Sequence, residues 1–129
     1  MYKIRAFKEL NAVLGMLNGT LNVEELNTFG NDLVRSIEQK MMPNFTFIMD
    51  VKRFGIDPSD GVKATKDKIH EIEFFLSKMG LKYILIIGND ENENVSYKAM
   101  AVEKPQGIDR KYFETLDETI NFLVRDNKA

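Results

Sequence analysis

The chain has 129 residues, of which 43% are hydrophobic and 29% are charged, and its formal net charge at pH 7 is −2. This length and composition are typical of one soluble globular domain. The slightly acidic balance argues against a nucleic-acid-binding protein, which needs a basic face to neutralise phosphates. The sequence contains no cysteine, so disulfides, thiolate nucleophiles and cysteine-based metal sites are excluded.

Targeting and membrane signals are also missing from the sequence. No apolar run approaches the roughly 20 residues that a membrane-spanning helix needs, and residues 1–10 lack the apolar segment of a signal peptide. We therefore expect a cytoplasmic protein with no membrane span. We also expect a single domain over residues 1–125, followed by a frayed tail at 126–129.

The N-terminal part of the chain predicts a β-hairpin followed by a helix. Residues 2–7 alternate in the manner of a strand, and a second apolar run at 10–17 follows a short Lys8-Glu9 connection. Asn22 and Glu25 have the spacing of a capping box, which marks a helix start. One apolar face of this helix is formed by Leu26, Phe29, Leu33, Ile37 and Met41. Gly30 lies inside the helix, where we expect it to allow close packing on the sheet.

The stretch 45–61 predicts a buried strand, a loop and a helix start. A short apolar run begins at Phe45 and ends at Asp50, which is typical of a strand buried on both faces. Residues 52–54 then form the predicted loop. Asp57 is the predicted N-cap of the next helix, with Pro58 at its first position.

The second helix has the clearest apolar periodicity, and Gly80 ends it. Its predicted sheet-facing stripe is Val62, Thr65, Ile69, Ile72, Leu76 and Met79. Phe74 lies opposite this stripe, among charged residues, where a large aromatic side chain indicates either an interface or an isolated exposed residue.

The C-terminal third predicts a buried strand at 81–87, a short helix at 95–102, a short edge strand at 110–113 and a final helix. Thr115 and Glu118 form a second capping box at the start of that helix. Its apolar face is formed by Leu116, Ile120, Leu123 and Val124. Alternation of strands and helices implies parallel pairing with right-handed crossovers. The prediction is an α/β fold with a mixed sheet of four to five strands, an N-terminal hairpin and three to four helices.

Five short patterns, taken in order, resemble the STAS domain family. They lie at 19–22, at 47–50 (Phe-Ile-Met-Asp), at 59–61 (Ser-Asp-Gly), at 80–82 and at 113–118. This family includes sulfate-transporter tails, anti-sigma factor antagonists and a SpoIIAA-like branch. The resemblance implies a STAS-like (SpoIIAA-like) fold and a non-enzymatic regulatory module that binds a protein partner.

The resemblance also implies where the partner would bind, namely the second helix and the loop that precedes it. The residues at these positions are Lys52, Arg53, Phe54, Asp57, Ser59, Asp60 and Phe74. Ser59 matches the serine that is phosphorylated in phosphoregulated antagonists. The chain departs from the family pattern at Pro58 and Asp60, and acidic neighbours oppose an added phosphate. Helix capping by this turn is the favoured interpretation, and phosphorylation of Ser59 is the alternative.

Other functions are also compatible with parts of the sequence. The run 47–54 and Lys104-Pro105 resemble a phosphoacceptor receiver, but the first strand offers only Glu9 where a receiver needs an acidic pair for Mg²⁺. Seven methionines and nine phenylalanines suit a carrier of an apolar or anionic small ligand or lipid, and equally a plain core. A homodimer through Phe74 is a further alternative.

We expect no enzyme activity, cofactor or metal. His70 is the only histidine, and no Ser–His–Asp set accompanies it. Asp50, Asp57, Asp60 and Asp90 would meet at one sheet edge, where hard cations accept such ligands. Solvated loop carboxylates are the simpler interpretation.

Overall fold

In the part of the chain that the structure describes, five strands form one mixed sheet in the order β1-β2-β3-β4-β5. The computed structural model describes residues 1–88 and 108–128. The strands are β1 (Tyr2–Phe7), β2 (Ala12–Leu21), β3 (Phe45–Ile56), β4 (Leu81–Ile87) and β5 (Asp109–Phe113). β1 and β2 form the antiparallel hairpin, and β2 to β5 pair in parallel. The expected mixed sheet with an N-terminal hairpin is confirmed.

In the described residues, three helices cover the sheet, in addition to a 3₁₀ turn at Lys8–Leu10 inside the hairpin. They are α1 (Val23–Lys40), α2 (Gly61–Ser77) and α3 (Leu116–Lys128). The predicted short helix at 95–102 lies outside the described residues.

The two faces of the sheet carry separate apolar cores. α1 and α2 pack on one face with β3 side chains Phe45, Phe47 and Met49, whereas Ile48 and Leu85 meet Leu123 of α3 on the other. A strand buried on both faces has a continuous apolar sequence, as the run at 45–49 predicted.

The start and the packing of α1 agree closely with the sequence pattern. Asn22 Oδ1 accepts the Glu25 N–H at 2.7 Å, and Glu25 Oε1 accepts the Asn22 N–H at 3.3 Å, which completes the capping box. The predicted close packing of Gly30 is against α2 and not against the sheet. A Cβ built at this glycine would lie 3.0 Å from Ile72 Cγ1.

β3 is longer than predicted. It continues past Asp50 to Ile56, a total of 12 residues. Met16 of β2 lies opposite Asp50 of β3, and Asn18 lies opposite Arg53. β3 therefore has one extra residue between these two pairs, which is a β-bulge. The Lys52 N–H donates to Asp50 Oδ1 at 3.1 Å. Residues 52–54 are therefore strand and not loop.

α2 begins later than predicted. Asp57 and Pro58 precede it in a turn, whose Asp57 carbonyl accepts the N–H groups of Asp60 and Gly61 at 3.2 and 3.1 Å. The helix starts at Gly61, and the buried stripe begins at Thr65, because Val62 is 63% exposed.

The C-terminal residues 126–128 belong to α3, which contradicts the predicted frayed tail. Asp126 accepts hydrogen bonds from Lys82 Nζ at 2.9 Å and from Tyr83 Oη at 3.0 Å. These contacts hold the last turn of α3 against β4. At the other end of α3, Thr115 Oγ1 accepts the Glu118 N–H at 3.1 Å, whereas Glu118 Oε2 accepts the Glu114 N–H, so only half of the second capping box forms.

Gly15 of β2 provides a test of this packing. A Cβ at Gly15 would lie 2.5 Å from Phe29 Cζ, so Gly15→Ala should lower the free energy of unfolding by about 1–3 kcal/mol through overpacking. Urea denaturation measures this loss. In a Phe29→Leu background the ring is absent, and the same substitution should cost less. An equal loss in both backgrounds would show that the ring is not the cause.

Candidate functional site

The carboxyl ends of β2 and β3 lie at one edge of the sheet, and both α1 and α2 begin there. The turn at 57–60 joins the two helices, because Asp60 Oδ2 accepts the Val23 N–H at 2.9 Å. Asp60 makes no side-chain bond to α2 itself. The Asp60 carboxylate therefore caps α1 and not α2. The residues next to Asp60 in the sequence did not predict this contact.

Ser59 is exposed, and the carboxylate of Asp57 holds both of its donors. Asp57 Oδ1 accepts the Ser59 N–H at 2.9 Å and the Ser59 hydroxyl at 2.6 Å. The hydroxyl, followed by the backbone N–H, lowers the pKa of the Asp57 carboxyl. The Ser59 oxygen is accessible from solvent, but it lies beside a negative charge.

The side chains of the basic segment at 52–54 do not all face solvent, because they alternate along β3. Arg53 is exposed and pairs in register with Asn18. Phe54 is only 1% exposed and belongs to the core under α1 and α2. The prediction that Phe54 contacts a partner is wrong, because the bulge and the extension of β3 turn this side chain inward.

Phe74 and Phe75 form an exposed aromatic pair near the end of α2. Their exposed fractions are 44% and 54%. The exposure of Phe74 agrees with its predicted position opposite the buried stripe, and Phe75 next to it is exposed as well. The Lys78 Nζ lies 4.6 Å from the centroid of the Phe74 ring, over its face.

An open groove of about 270 Å³ separates α1 from α2 beside this pair. Gly30 and Ile72 lie at the close contact between the helices, and Asn31 lines the α1 side. Lys68 closes part of the groove, since its Nζ contacts Asn27 Oδ1 at 3.2 Å and Glu71 Oε2 at 2.9 Å. The groove is apolar at its base and polar at its rim.

The predicted binding residues do not converge on one pocket. Gly61 and Phe74 lie at opposite ends of α2, about 20 Å apart along the helix axis at about 1.5 Å per residue. The turn at 57–60 and the aromatic pair are therefore two ends of one strip along α2.

A buried ion pair lies on the sheet-facing side of α2, next in sequence to the aromatic pair. Glu73 of α2 contacts Arg110 of β5, and their side chains are 1% and 5% exposed. Within the described ranges, Glu73 Oε1 and the Arg110 Nε and Nη2 atoms have no hydrogen-bond partner. Burial raises the pKa of Glu73, and the neighbouring Arg110 charge partly opposes that effect.

Glu73 is a charged residue on the buried face of α2. Its spacing of four residues from Ile69 and three from Leu76 puts it on the buried stripe. Because a buried charge is normally paired, a glutamate on the buried stripe could have predicted a buried partner of opposite charge.

The parts of the chain that the structure describes contain no group of three or more acidic, histidine or cysteine side chains able to hold a metal ion. Asp50, Asp57 and Asp60 do not form the cluster considered above, and Asp90 lies outside the described residues. Over the same ranges, none of the helices combines the length and apolar character needed to cross a membrane.

Solved structures share this architecture. SpoIIAA, an anti-sigma factor antagonist, matches in its unphosphorylated form with a TM-score of 0.58 and 15% identity, covering 95% of this chain and 97% of that chain. The chain has the SpoIIAA-like fold. The phosphorylated form of the Bacillus cell fate determinant SpoIIAA matches with a TM-score of 0.55 and 17% identity, over 95% and 99% of the two chains.

An uncharacterised protein of the DUF3478 family from Shewanella loihica, also described as SpoIIAA-like, matches with a TM-score of 0.62 and 13% identity. The match covers 95% of this chain and 92% of that chain. No protein-family profile and no curated protein sequence matches the chain. The SpoIIAA-like fold is thus supported by structure and not by sequence identity.

The buried ion pair of this SpoIIAA-like fold yields a prediction about stability and pH. Arg110→Met removes the charge that offsets burial of Glu73, so it should cost about 3–5 kcal/mol at neutral pH. Glu73 has a raised pKa when folded, so its neutral form favours the folded state. The stabilisation that comes from protonating Glu73 is complete below the ordinary glutamate pKa. It is lost as the pH rises through the raised pKa of the folded state.

The cost of Arg110→Met should therefore shrink as the pH falls from neutral towards the ordinary glutamate pKa, which urea denaturation at several pH values would measure. The double variant Glu73→Met/Arg110→Met is the control, because an apolar pair should restore most of the stability. A cost that is independent of pH would contradict the assigned role of Glu73.

Proposed function

We propose that the chain is a non-enzymatic regulatory domain that binds a protein partner along α2. The observation that carries this proposal is the pair of exposed phenylalanines, Phe74 and Phe75, beside the groove between α1 and α2. Aromatic side chains at a rigid helix surface are frequent anchors of protein interfaces. Contiguous exposed apolar surface is unusual unless it binds something.

The similarity to SpoIIAA supports a regulatory role by analogy of fold. SpoIIAA is an anti-sigma factor antagonist, so a domain of this shape serves in regulation through proteins. Fold analogy alone does not assign function, and the argument rests mainly on the surface of α2.

The dimensions of the strip along α2 suit a protein partner. A standard interface buries about 800 Å² on each side, which corresponds to a patch roughly 30 Å across. Such a patch would span the roughly 20 Å from the turn at 57–60 to the aromatic pair. Arg53, Asp57, Ser59 and Asp60 would then contact the partner at one end, with Lys52 beside them and Phe74 at the other end.

A small-molecule or lipid carrier is less well supported. The groove is open and its volume of about 270 Å³ falls below the range of about 300–1,000 Å³ that ligand pockets usually have. It would accept one or two side chains of a partner. The large aromatic residues Phe29, Phe47 and Phe54 are buried in the apolar core under α1 and α2.

The surface is tested by a photo-cross-linking amino acid placed at position 75. In the cells from which the chain originates, we expect a discrete adduct with another protein. Phe74→Asp should abolish that adduct without unfolding the chain, because the side chain is already exposed to water. Mass spectrometry of the adduct measures the outcome.

Met42 provides a matched control, since it is 72% exposed and lies in the connection between α1 and β3. Met42→Asp should leave the position-75 adduct unchanged, and a cross-linker at 42 should give no discrete product. Equal adducts at both positions, or none at 75, would refute the proposed surface. An adduct between two copies of the chain would identify a homodimer in place of a second protein.

Ser59 remains the proposed site of a regulatory phosphate on this surface. Its side chain is exposed, and α2 begins two residues later at Gly61, where a helix N-terminus favours negative charge. The carboxylate of Asp57, which accepts the Ser59 hydroxyl at 2.6 Å, would repel the added phosphate. Phosphorylation would have to break this hydrogen bond.

Phosphopeptide mapping of the chain isolated from its own cells tests this site. We expect a phosphopeptide that contains Ser59, and we expect Ser59→Ala to remove it. Asp57→Asn should increase the modified fraction, because it removes the nearest negative charge. Phosphate found only at other residues, or none at all, would leave the turn as a helix-joining element alone.

A further inference from the structure

Two contacts at the start of β1 determine which of its residues direct their backbone N–H and C=O groups towards β2 and which direct them towards the outer edge of the sheet. The Met1 amino group donates to the Asn18 carbonyl at 3.0 Å, and the Asn18 N–H donates to the Met1 carbonyl at 2.8 Å. Such an exchange defines a hydrogen-bonded pair in an antiparallel ladder, and the pairs alternate along the strands. Lys3, Arg5 and Phe7 therefore direct their backbone groups towards β2.

The even-numbered residues of β1 point their backbone groups the other way. Tyr2, Ile4 and Ala6 present their N–H and C=O groups at the edge, because β1 is the first strand in the sheet order. Across residues 1–88 and 108–128, no hydrogen bond reaches the backbone of Ile4 or Ala6 on this side. An edge of this kind is a template for a further strand.

Open space accompanies these groups. An open cleft of about 640 Å³ is lined by residues 4–10 and by Lys40 at the end of α1. A strand added beside β1 would lie about 4.8 Å from it, next to residues that also line this cleft.

The charges around the cleft select the partner. Arg5, Lys8 and Lys40 line it and are exposed, against the single acid Glu9. The guanidinium of Arg5 lies 4.9 Å from the centroid of the Phe7 ring, which holds it along the strand. The whole chain has a net charge of −2, so this edge is a local basic region on an acidic protein.

The same charges disfavour pairing between two copies of the chain. Lys3 and Arg5 of one β1 strand would face like charges on another, and directly opposed like charges destabilise a ladder. An acidic strand would be attracted to the edge.

We propose that β1 is a docking edge for an extended acidic peptide segment of another protein, which adds to the sheet as a sixth strand. Main-chain hydrogen bonds to Ile4 and Ala6 would supply affinity, and Arg5, Lys8 and Lys40 would select acidic side chains. This edge shares no residue with the surface along α2, so the two proposals stand or fall separately.

The test uses a synthetic peptide of alternating valine and glutamate, with the valine–lysine peptide as its counterpart. Titration into the ¹⁵N-labelled full chain should shift the amide signals of Ile4 and Ala6 with the acidic peptide only. Saturation should occur below about 1 mM, and high salt should weaken the binding.

Ala6→Pro tests the backbone contribution. It removes an outward N–H and leaves the β1–β2 ladder intact, since edge strands tolerate proline when its nitrogen faces solvent. The acidic peptide should bind about fivefold more weakly, the equivalent of one net hydrogen bond. Ala6→Val is the control, because valine is similar in volume to proline but keeps its backbone N–H. This variant should bind the acidic peptide as tightly as the unmodified chain does.

Arg5→Glu tests the charge contribution, with Lys63→Glu as a control of equal charge change on the distant and exposed start of α2. Only Arg5→Glu should weaken binding of the acidic peptide, and Phe74→Asp should leave it unchanged. Circular dichroism and urea midpoints verify that each variant is folded. The proposal would be overturned if both peptides bind equally, if binding does not saturate below about 1 mM, or if the amide shifts are confined to the α2 groove. It would also be overturned if the chain sediments as a dimer paired through β1.

Discussion

Burial of β3 on both faces is the constraint on which the rest of this structure depends. Residues 45–49 are all buried, so apolar layers must cover both sides of the strand. α1 and α2 supply one layer and α3 supplies the other. Because both α1 and α2 follow strands of a parallel sheet, they start at the same edge, where Asp60 can reach Val23.

The pair Glu73–Arg110 is the exception within this apolar arrangement. It places two charges under α2 with few hydrogen bonds to offset the loss of water. A buried ion pair stabilises a fold little more than an apolar pair would, but any shift of α2 relative to β5 would separate these two charges, so we infer that the pair favours the observed register. It therefore holds the end of α2 that presents Phe74 and Phe75, and a rigid anchor loses less entropy on binding.

The two proposed interaction surfaces use different physical features of the same sheet. The α2 strip offers side chains on a helix that the core holds in place. The β1 edge offers backbone groups that the end of the sheet leaves without a neighbouring strand in the described chain. Side-chain anchors favour a shaped protein surface, whereas an open edge favours an extended segment. The two surfaces share no residue, so binding at one leaves the other open to a second partner.

Local sequence alone determined the first capping box, the buried face of α1 and the apolar runs of β3 and β4, because each depends on residues a few positions apart. Their order led to the mixed sheet and to the SpoIIAA-like fold. Tertiary structure decided the extension of β3, which buries Phe54, the capping of α1 by Asp60 and the pairing of Glu73 with Arg110, 37 residues away. These features depend on contacts between distant segments, which periodicity and local spacing do not encode.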